Sequence, residues 1–209
     1  MYDAGRADAK ERCALPTGVA IRDAREQLFD AAERVLLRDG PNALTSRAVT
    51  TEAGCAKGVL HRHFPDFDAF LVELILDRAR QMSAQTEVLR ASAGTGTVVE
   101  NLVEAVSGVL NSIAARVLAL MIARDELRTR LREHRPRGFP VIVEATQMIA
   151  GYLAAERDLG RIAANADVDM LALSLLGTSH LDFAGSDGAS PDEEAVRRVV
   201  TSVVGGVLR

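Results

Sequence analysis

The sequence predicts an all-α fold of about nine helices, and three observations support this prediction. Apolar residues recur at spacings of three and four along most of the 209-residue chain, as one buried helix face requires. Glycine and proline residues interrupt these periodic stretches at distances that suit ordinary helix lengths. No stretch alternates as a β-strand does, and even the valine-rich residues 196–207 keep the helical spacing.

The composition indicates a folded chain and sets limits on its class. Hydrophobic residues make up 48% of the chain and charged residues 26%, which excludes a wholly disordered or collagen-like protein. The longest apolar run, 117–123, is far shorter than the roughly 18 to 20 residues of a membrane helix, so we expect no membrane partner. The first residues lack the apolar core of a signal peptide, which predicts a cytoplasmic protein. Two cysteines, Cys13 and Cys55, are too few for a cysteine metal site, and we expect no metal and no cofactor.

The N-terminal part of the chain predicts a flexible arm followed by three helices. Residues 1–20 show no apolar period and are interpreted as the arm. The first helix runs from Ile21 until Gly40 and Pro41 end it, and the second, capped by Thr45, reaches residue 53. The third is an eight-residue segment, 56–63, that stops before a proline. Gly54 can take the positive φ that closes the tight turn between the last two, which is the spacing of a helix-turn-helix.

The rest of the chain predicts longer helices. Asp66 can cap a fourth helix reaching about residue 89, and a capping box from Thr97 to Glu100 opens a fifth, whose apolar stripe continues to Leu120. Two apolar helices follow, over about 140–157 and 167–183. A last helix begins after these two, where Ser190 supplies the N-cap, Pro191 the first helical position and Glu193 the capping carboxylate.

The helix-turn-helix segment carries a recognisable motif. Residues 44–70 read LTSRAVTTEAGCAKGVLHRHFPDFDAF, with Thr45, then Ala53-Gly54-Cys55-Ala56-Lys57-Gly58-Val59-Leu60-His61, then Phe64. This pattern resembles the TetR family of bacterial transcriptional repressors over roughly residues 21–75. The resemblance implies a helix-turn-helix DNA-binding domain over 21–66 and a helical ligand-binding and dimerisation domain over 67–209. Phe67 departs from the family's lysine, and Ala56 from its serine cap.

The resemblance and the local charge together predict a DNA-binding surface. The third predicted helix and its flanks, 55–65, contain Lys57 and Arg62 and no acidic residue. By resemblance, Lys57 and Val59 face the bases, with Gly58 beside them allowing close approach. The expected phosphate contacts are Thr45, Arg47, His61 and His63. The expected partner is a pseudo-palindromic operator in double-stranded DNA, bound by a homodimer that acts as a repressor.

The C-terminal domain predicts a dimer seam and an effector site. The last two helices carry the broadest apolar faces, and the expected interface residues are Leu175, Val196, Val199, Val200, Val203, Val204 and Val207. By resemblance, an unidentified small-molecule effector enters this bundle. Its candidate lining consists of Met121, Phe139, Met148, Tyr152 and His180, each of which also suits an ordinary core.

The sequence lacks common enzyme motifs. The chain has no phosphate-binding Gly-Lys-Ser/Thr loop, no His-Glu-x-x-His helix and no Gly-x-Ser-x-Gly turn, so we expect no enzyme.

Three alternatives remain open from the sequence, two for the function of the chain and one for its arginine-rich stretch. The rival is a helical small-molecule-binding protein or enzyme whose helix-turn-helix is vestigial. A second rival is a regulator without a ligand. Seven arginines between residues 116 and 137 form either a solvated helix end or an entrance for an anionic ligand.

Overall fold

The all-α prediction is confirmed. A computed structural model describes residues 20–134, 138–185 and 192–209, and over these ranges the chain forms ten α-helices, one short 3₁₀ helix and no β-strand. The expected arm, apart from residue 20, lies outside the described residues, as do Ser190 and Pro191. The chain divides into two compact units, Met1–Phe70 and Leu71–Arg209.

The first unit is a small helical domain around an apolar centre. It contains α1 (Ala20–Asp39), the 3₁₀ helix (Pro41–Ala43), α2 (Ser46–Glu52), α3 (Gly58–His63) and the start of α4 (Phe67–Ala91). The predicted face of α1 is buried, including Leu28, Val35 and Leu36. Phe29, Phe64 and Phe70 lie with ring centroids 5.0 to 5.9 Å apart, in tilted or edge-on pairs that aromatic rings favour.

The two predicted caps of this unit, Thr45 and Asp66, and the predicted turn at Gly54 are confirmed. The Thr45 hydroxyl accepts a hydrogen bond from the Ala48 amide at 3.1 Å and caps α2. The Asp66 carboxylate likewise accepts a hydrogen bond from the Ala69 amide at 2.8 Å and caps α4. Gly54 has a φ of +65° after α2, and its amide donates to the Thr51 carbonyl while the Cys55 amide donates to that of Thr50. These two bonds form a Schellman cap, which needs the left-handed conformation that glycine adopts without strain.

The second unit is a larger helical bundle. After α4 it contains α5 (Val98–Asn111), α6 (Ile113–Ala123), α7 (Asp125–His134), α8 (Ile142–Asp158), α9 (Val168–Gly185) and α10 (Glu193–Val204). Helix α8 packs on α9, and α10 packs on both α5 and α9. Apolar residues from all of these helices are buried, among them Leu102, Leu120, Leu153, Leu175 and Val200.

The predicted single helix after Thr97 is wrong, because Ser112 divides it into α5 and α6. Its hydroxyl donates to the Val109 carbonyl at 2.7 Å and accepts from the Ala114 amide at 3.2 Å. One side chain thus satisfies backbone groups of both helix ends. The arginine-rich stretch also contains α7, held by the buried Leu127 and Leu131. Helices α6 and α7 are thus additional to the eight helices whose positions the sequence predicts, and the described residues form ten, against the predicted total of about nine.

Three predicted boundaries also differ. Helix α3 begins at Gly58 rather than at residue 56, and α10 ends at Val204, so Val207 lies beyond it. The Asp192 side chain caps α10 by accepting from the Glu194 amide. Thr97 caps α5 as expected. In a capping box the Glu100 carboxylate accepts from the Thr97 amide. Here it accepts from the Thr97 hydroxyl at 2.8 Å instead.

No single helix within the described ranges is both long enough and apolar enough to cross a membrane. Helices α5 and α6 pass that test only as a pair, and they are bent by 45° at their junction.

Candidate nucleic-acid interface

Helix α3 is fixed on the first unit from its buried side. Leu60 is buried, as is Phe64 immediately after the helix. Arg25 of α1 donates from Nη1 to the His63 carbonyl at 3.3 Å, and its guanidinium lies 4.4 Å from the centroid of the Phe64 ring. This combination of a hydrogen bond and a cation–π contact holds the C-terminal end of α3 against α1.

The opposite side of α3 is open to solvent. Lys57, Gly58, His61 and Arg62 are exposed, whereas Val59 and His63 are half-buried. Lys57 occupies the N-cap position without a side-chain cap bond, rather than the first helical turn that the sequence predicts. A short helix of this kind, with small residues at its start, can approach the floor of a DNA major groove.

The two expected phosphate-binding residues of α2 line a groove of about 500 Å³ on the first unit. Thr45 and Arg47 are exposed there, and the groove is also lined by Arg38, Ala48, Thr51 and Glu52. Because Thr45 uses a lone pair to cap α2, its hydroxyl hydrogen is still available to an acceptor. An anion in this groove therefore meets the hydroxyls of Thr45 and Thr51 and the guanidinium groups of Arg47 and Arg38, with the Glu52 carboxylate beside Arg38.

The basic residues of this unit fall into two sets, paired and unpaired. Glu52 accepts from Arg34 Nε at 2.8 Å and from Arg38 Nη1 at 3.0 Å, and Arg38 also forms a two-bond contact with Asp39. Hydrogen bonds from Arg34 and then Arg38 lower the pKa of Glu52, and the bond from Arg38 lowers the pKa of Asp39. In contrast, Arg47, Lys57 and Arg62 have no acidic partner within the described ranges.

Sequence spacing does not predict this four-residue network of Arg34, Arg38, Asp39 and Glu52. Glu52 follows Arg38 by 14 positions and Arg34 by 18, so no helical spacing connects them. Only the packing of α2 on α1 brings the three side chains together. Phe67, at the position where the resemblance expects a lysine, is half-buried and stacks on Phe70 with centroids 5.6 Å apart. Its role is therefore in packing.

The predicted effector-site residues lie in different environments. Met121 on α6 and Met148 on α8 are buried, Phe139 is 38% exposed, and His180 on α9 is half-buried, with a pKa lowered by burial. Tyr152 is buried, and its hydroxyl donates to Glu156 Oε1 at 2.6 Å and accepts from Asn101 Nδ2 at 2.9 Å. Because both bonds are internal, Tyr152 holds helices together, and its hydroxyl is not free for a ligand.

The predicted dimer seam needs correction. Leu175, Val196, Val200 and Val204 are buried inside the chain, where α10 packs on α5 and α9, so they present no surface to a partner. Val199, Val203 and Val207 are half-buried. Sequence reasoning missed the exposed apolar residues of α9, which are Met170, Leu173 and Leu181, at 55%, 51% and 75% exposure. Their spacing matches one helix face with the exposed Gly177.

Comparison with known proteins supports the resemblance to the TetR family. Residues 28–74 match the family model described as bacterial regulatory proteins, tetR family. A search of curated proteins finds no match. The matched segment contains α2, α3 and all of the groove and network residues.

Several solved structures share the fold. The reduced form of NemR from E. coli superposes with a TM-score of 0.68 at 15% identity, covering 90% of this chain and 98% of that one. A proposed TetR-family transcriptional regulator from Mesorhizobium loti MAFF303099 gives 0.65 at 16% identity, covering 88% and 95%. The transcriptional regulator FadR from Bacillus subtilis, in complex with stearoyl-CoA, gives 0.62 at 19% identity, covering 87% and 98%. At these identities the likeness concerns the fold.

Proposed function

We propose that this chain represses transcription by binding an operator in double-stranded DNA. The premise is that its helix-turn-helix segment matches the TetR family model and that its fold is that of TetR-family regulators. The observation that supports this function is the distribution of charge over the first unit. Arg47, Lys57 and Arg62 are exposed, all within or beside α2 and α3, and none has an acidic partner among the residues that the structure describes. Free cations on a helix-turn-helix are what phosphate binding requires.

Within this proposal the residues have separate roles. Lys57, Gly58 and Val59, at the start of α3, face the bases, and the half-buried Val59 offers only part of its side chain. Thr45, Arg47, His61 and His63 hold phosphates, and Arg62 adds positive charge beside them. The site of action is the cytoplasm, and the proposal includes no catalytic step, metal or cofactor.

The direct test is DNA binding measured by fluorescence anisotropy over a salt series. Labelled DNA from upstream of the chain's own gene is compared with scrambled DNA, and if that region holds no site, selection from random DNA supplies one. We expect a specific complex whose affinity falls steeply with salt. Lys57→Ala, at an exposed position, should lower affinity for the specific site by about 1 to 3 kcal/mol.

The matched control for Lys57 is Arg90→Ala on α4, because Arg90 is an exposed basic residue outside the proposed interface. We expect the control to bind DNA as the unmodified protein does. Both variants should unfold at the same temperature as the unmodified protein. Unchanged affinity of a folded Lys57→Ala protein would argue against this assignment of the base-facing residues.

The proposed regulator acts as a homodimer that uses the exposed face of α9. A soluble monomer rarely leaves several large apolar side chains on one helix face, and Met170, Leu173 and Leu181 do so here. A two-fold axis at this face pairs α9 and α10 with their copies in a four-helix arrangement. Two α3 helices related by that axis would bind half-sites about one helical turn apart, roughly 34 to 36 Å.

Control by a small molecule is the remaining part of the proposal. Met121, Met148 and His180 stay candidates for the lining, with Phe139 at the exposed edge of the set. Stearoyl-CoA, which the B. subtilis neighbour holds, is a reasonable first probe in a thermal-shift panel of metabolites. A ligand at 100 times its dissociation constant stabilises the folded state by about 2.7 kcal/mol. A ligand that favours the non-binding form must also weaken DNA affinity, because the coupling is reciprocal.

The rival function is a helical binding protein or enzyme whose helix-turn-helix no longer binds DNA. Phe67 favours it, since this residue stacks in the core at a position where the resemblance expects a phosphate-binding lysine. The salt series separates the two functions. Equally weak binding of specific, selected and scrambled DNA at every salt concentration would favour the rival.

A further inference from the structure

We propose that Glu52 is a specificity-determining residue, which limits binding to non-operator DNA by holding Arg34 and Arg38 in ion pairs beside the phosphate-binding groove. The inference rests on the proposed function, because it concerns how the same surface discriminates between DNA sequences. It assigns a role to an acidic residue in a region where positive charge is otherwise expected.

The geometry places the network at the groove. Arg38 and Glu52 line it together with Thr45 and Arg47, the two proposed phosphate contacts of α2. Arg38 and Arg47 therefore border the same groove, and a phosphate bound there would lie beside both. Arg34 lies one helical turn earlier on α1 and contacts the other oxygen of the Glu52 carboxylate.

The charges of the network cancel. Arg34 and Arg38 are balanced by Asp39 and Glu52, with nitrogen–oxygen distances of 2.8 to 3.0 Å. Glu52 is the central member, because its two oxygens serve different arginines and its side chain is only 20% exposed. Arg38 keeps a second carboxylate in Asp39, whereas Glu52 is the one acidic partner of Arg34 among the described residues. Loss of the Glu52 charge would thus release Arg34 most completely.

A released arginine has a measurable consequence for DNA binding. Each additional phosphate neutralised by a protein makes the slope of log K against log salt more negative by about 0.9. Phosphate contacts are independent of sequence, so an extra one strengthens binding to every DNA and lowers the ratio of operator to non-operator affinity. Glu52 would therefore improve discrimination by reducing the common, sequence-independent part of the affinity.

The test measures the salt slope for a scrambled duplex with the full-length protein and three variants. These are Glu52→Gln, Arg34→Gln and the double variant. For Glu52→Gln we expect several-fold tighter binding to scrambled DNA and a slope more negative by about 1 to 2. Arg34→Gln alone should leave the slope unchanged, because Arg34 is already neutralised. In the Glu52→Gln background the same substitution should bring the slope back by about one unit.

Glu104→Gln is the charge-matched control, because Glu104 is an exposed carboxylate on α5 in the second unit. It should leave the slope for scrambled DNA unchanged. Thermal unfolding checks that each variant is folded, and Arg34→Gln tests the inference even if Glu52→Gln does not fold.

Two results would overturn the inference while leaving the proposed function intact. One is a folded Glu52→Gln protein with the slope of the unmodified protein. The other is an equal loss of slope from Arg34→Gln in both backgrounds, which would mean that Arg34 already contacts phosphate. If the unmodified protein shows no salt-dependent DNA binding at all, the proposed function fails and the inference fails with it.

Discussion

Gly54 is the residue that sets the turn between α2 and α3. Its φ of +65° lies in the left-handed region, and a Cβ built there would meet no atom within 4 Å. Space is therefore not the reason for glycine at this position. The reason is the backbone conformation, in which a Cβ approaches the following carbonyl oxygen.

We expect Gly54→Ala to lower the free energy of unfolding by about 1 to 2 kcal/mol, since the left-handed conformation costs that much for a residue with a Cβ. Gly58→Ala is the matched control, because Gly58 also has open space around it but no positive φ. The control should not lower stability, since alanine is the better helix former. Denaturant unfolding measures both variants, and an equal loss of stability in the two would contradict this explanation.

Residue-scale predictions succeed where the interaction is local. Thr45, Asp66 and Thr97 were predicted as caps from sequence, and each accepts a bond from an amide three residues ahead. The capping box at Thr97 shows the limit of such reasoning. Glu100 bonds the Thr97 hydroxyl, because a flexible carboxylate has more than one donor within reach.

At the scale of elements, a buried polar network ties α5 and α8 to the loops beside them. Tyr152 bonds Glu156 and Asn101, and Glu156 Oε1 also accepts from the Gly94 amide at 3.3 Å. Arg161 lies 3.3 Å from the other Glu156 oxygen and donates to the Gly96 carbonyl at 2.7 Å. In this fully buried carboxylate Oε1 accepts the hydrogen bonds, whereas Oε2 accepts none within the described residues and is balanced by the charge of Arg161 alone.

Tyr152→Phe should lower the free energy of unfolding by about 1 to 3 kcal/mol near neutral pH. The substitution keeps the ring packing but removes one bond to Glu156 and one to Asn101. Thr51→Val is the control, because it removes a hydroxyl at an exposed position. Phe29→Tyr would not serve, because it adds a buried hydroxyl instead of removing one. Urea unfolding should show the loss for Tyr152→Phe only.

The same tyrosine predicts a dependence of stability on alkaline pH. Burial, and then the hydrogen bond to Glu156, raise the pKa of Tyr152 above its ordinary value. Above about pH 10 the unfolded chain loses this proton while the folded chain keeps it, so stability falls as pH rises, with a limiting slope of about 1.4 kcal/mol per pH unit. The Tyr152→Phe protein has no hydroxyl to ionise at this position, so it does not lose stability in this way. The stability difference between the two proteins should shrink above pH 10, and parallel profiles would contradict the assignment.

The break at Ser112 shows why element boundaries are harder to predict than element types. Residues 98–123 carry one continuous apolar stripe, which favours a single helix. A serine in the middle of that stripe is compatible with one continuous helix and also with a break between two helices. The hydroxyl ends one helix and begins the next only because both bonds form together, at Val109 and Ala114.

At the scale of the whole molecule, the assembly depends on which apolar residues the chain itself does not bury. The sequence predicts a dimer seam formed by the last two helices, with most of its residues on the valine-rich α10. Its apolar face instead packs against α5 and α9 within the same chain. The exposed face of α9 remains as the proposed contact between copies.

We expect the double variant Leu173→Glu and Leu181→Glu to be a folded monomer with weaker operator binding. Both side chains are more than half exposed, so the carboxylates stay hydrated in the single chain but oppose each other across a two-fold contact. Val88→Glu, at a 74% exposed position on α4, is the control and should leave the oligomeric state unchanged. Light scattering during size-exclusion chromatography measures both, and a double variant of unchanged mass would exclude this face.

Sequence reasoning alone is sufficient for the all-α class, the turn at Gly54, the caps at Thr45, Asp66 and Thr97, and the positions of the cations in and beside α2 and α3. These features depend on residues within a few positions of each other, so local spacing and backbone preference are sufficient. Three other features follow from helix packing: Glu52 pairs with Arg34 and Arg38, Tyr152 is held by Asn101 and Glu156, and Val196, Val200 and Val204 of α10 are core. Those outcomes depend on which helices pack together, and an apolar period shows that a face is buried without showing which neighbour buries it.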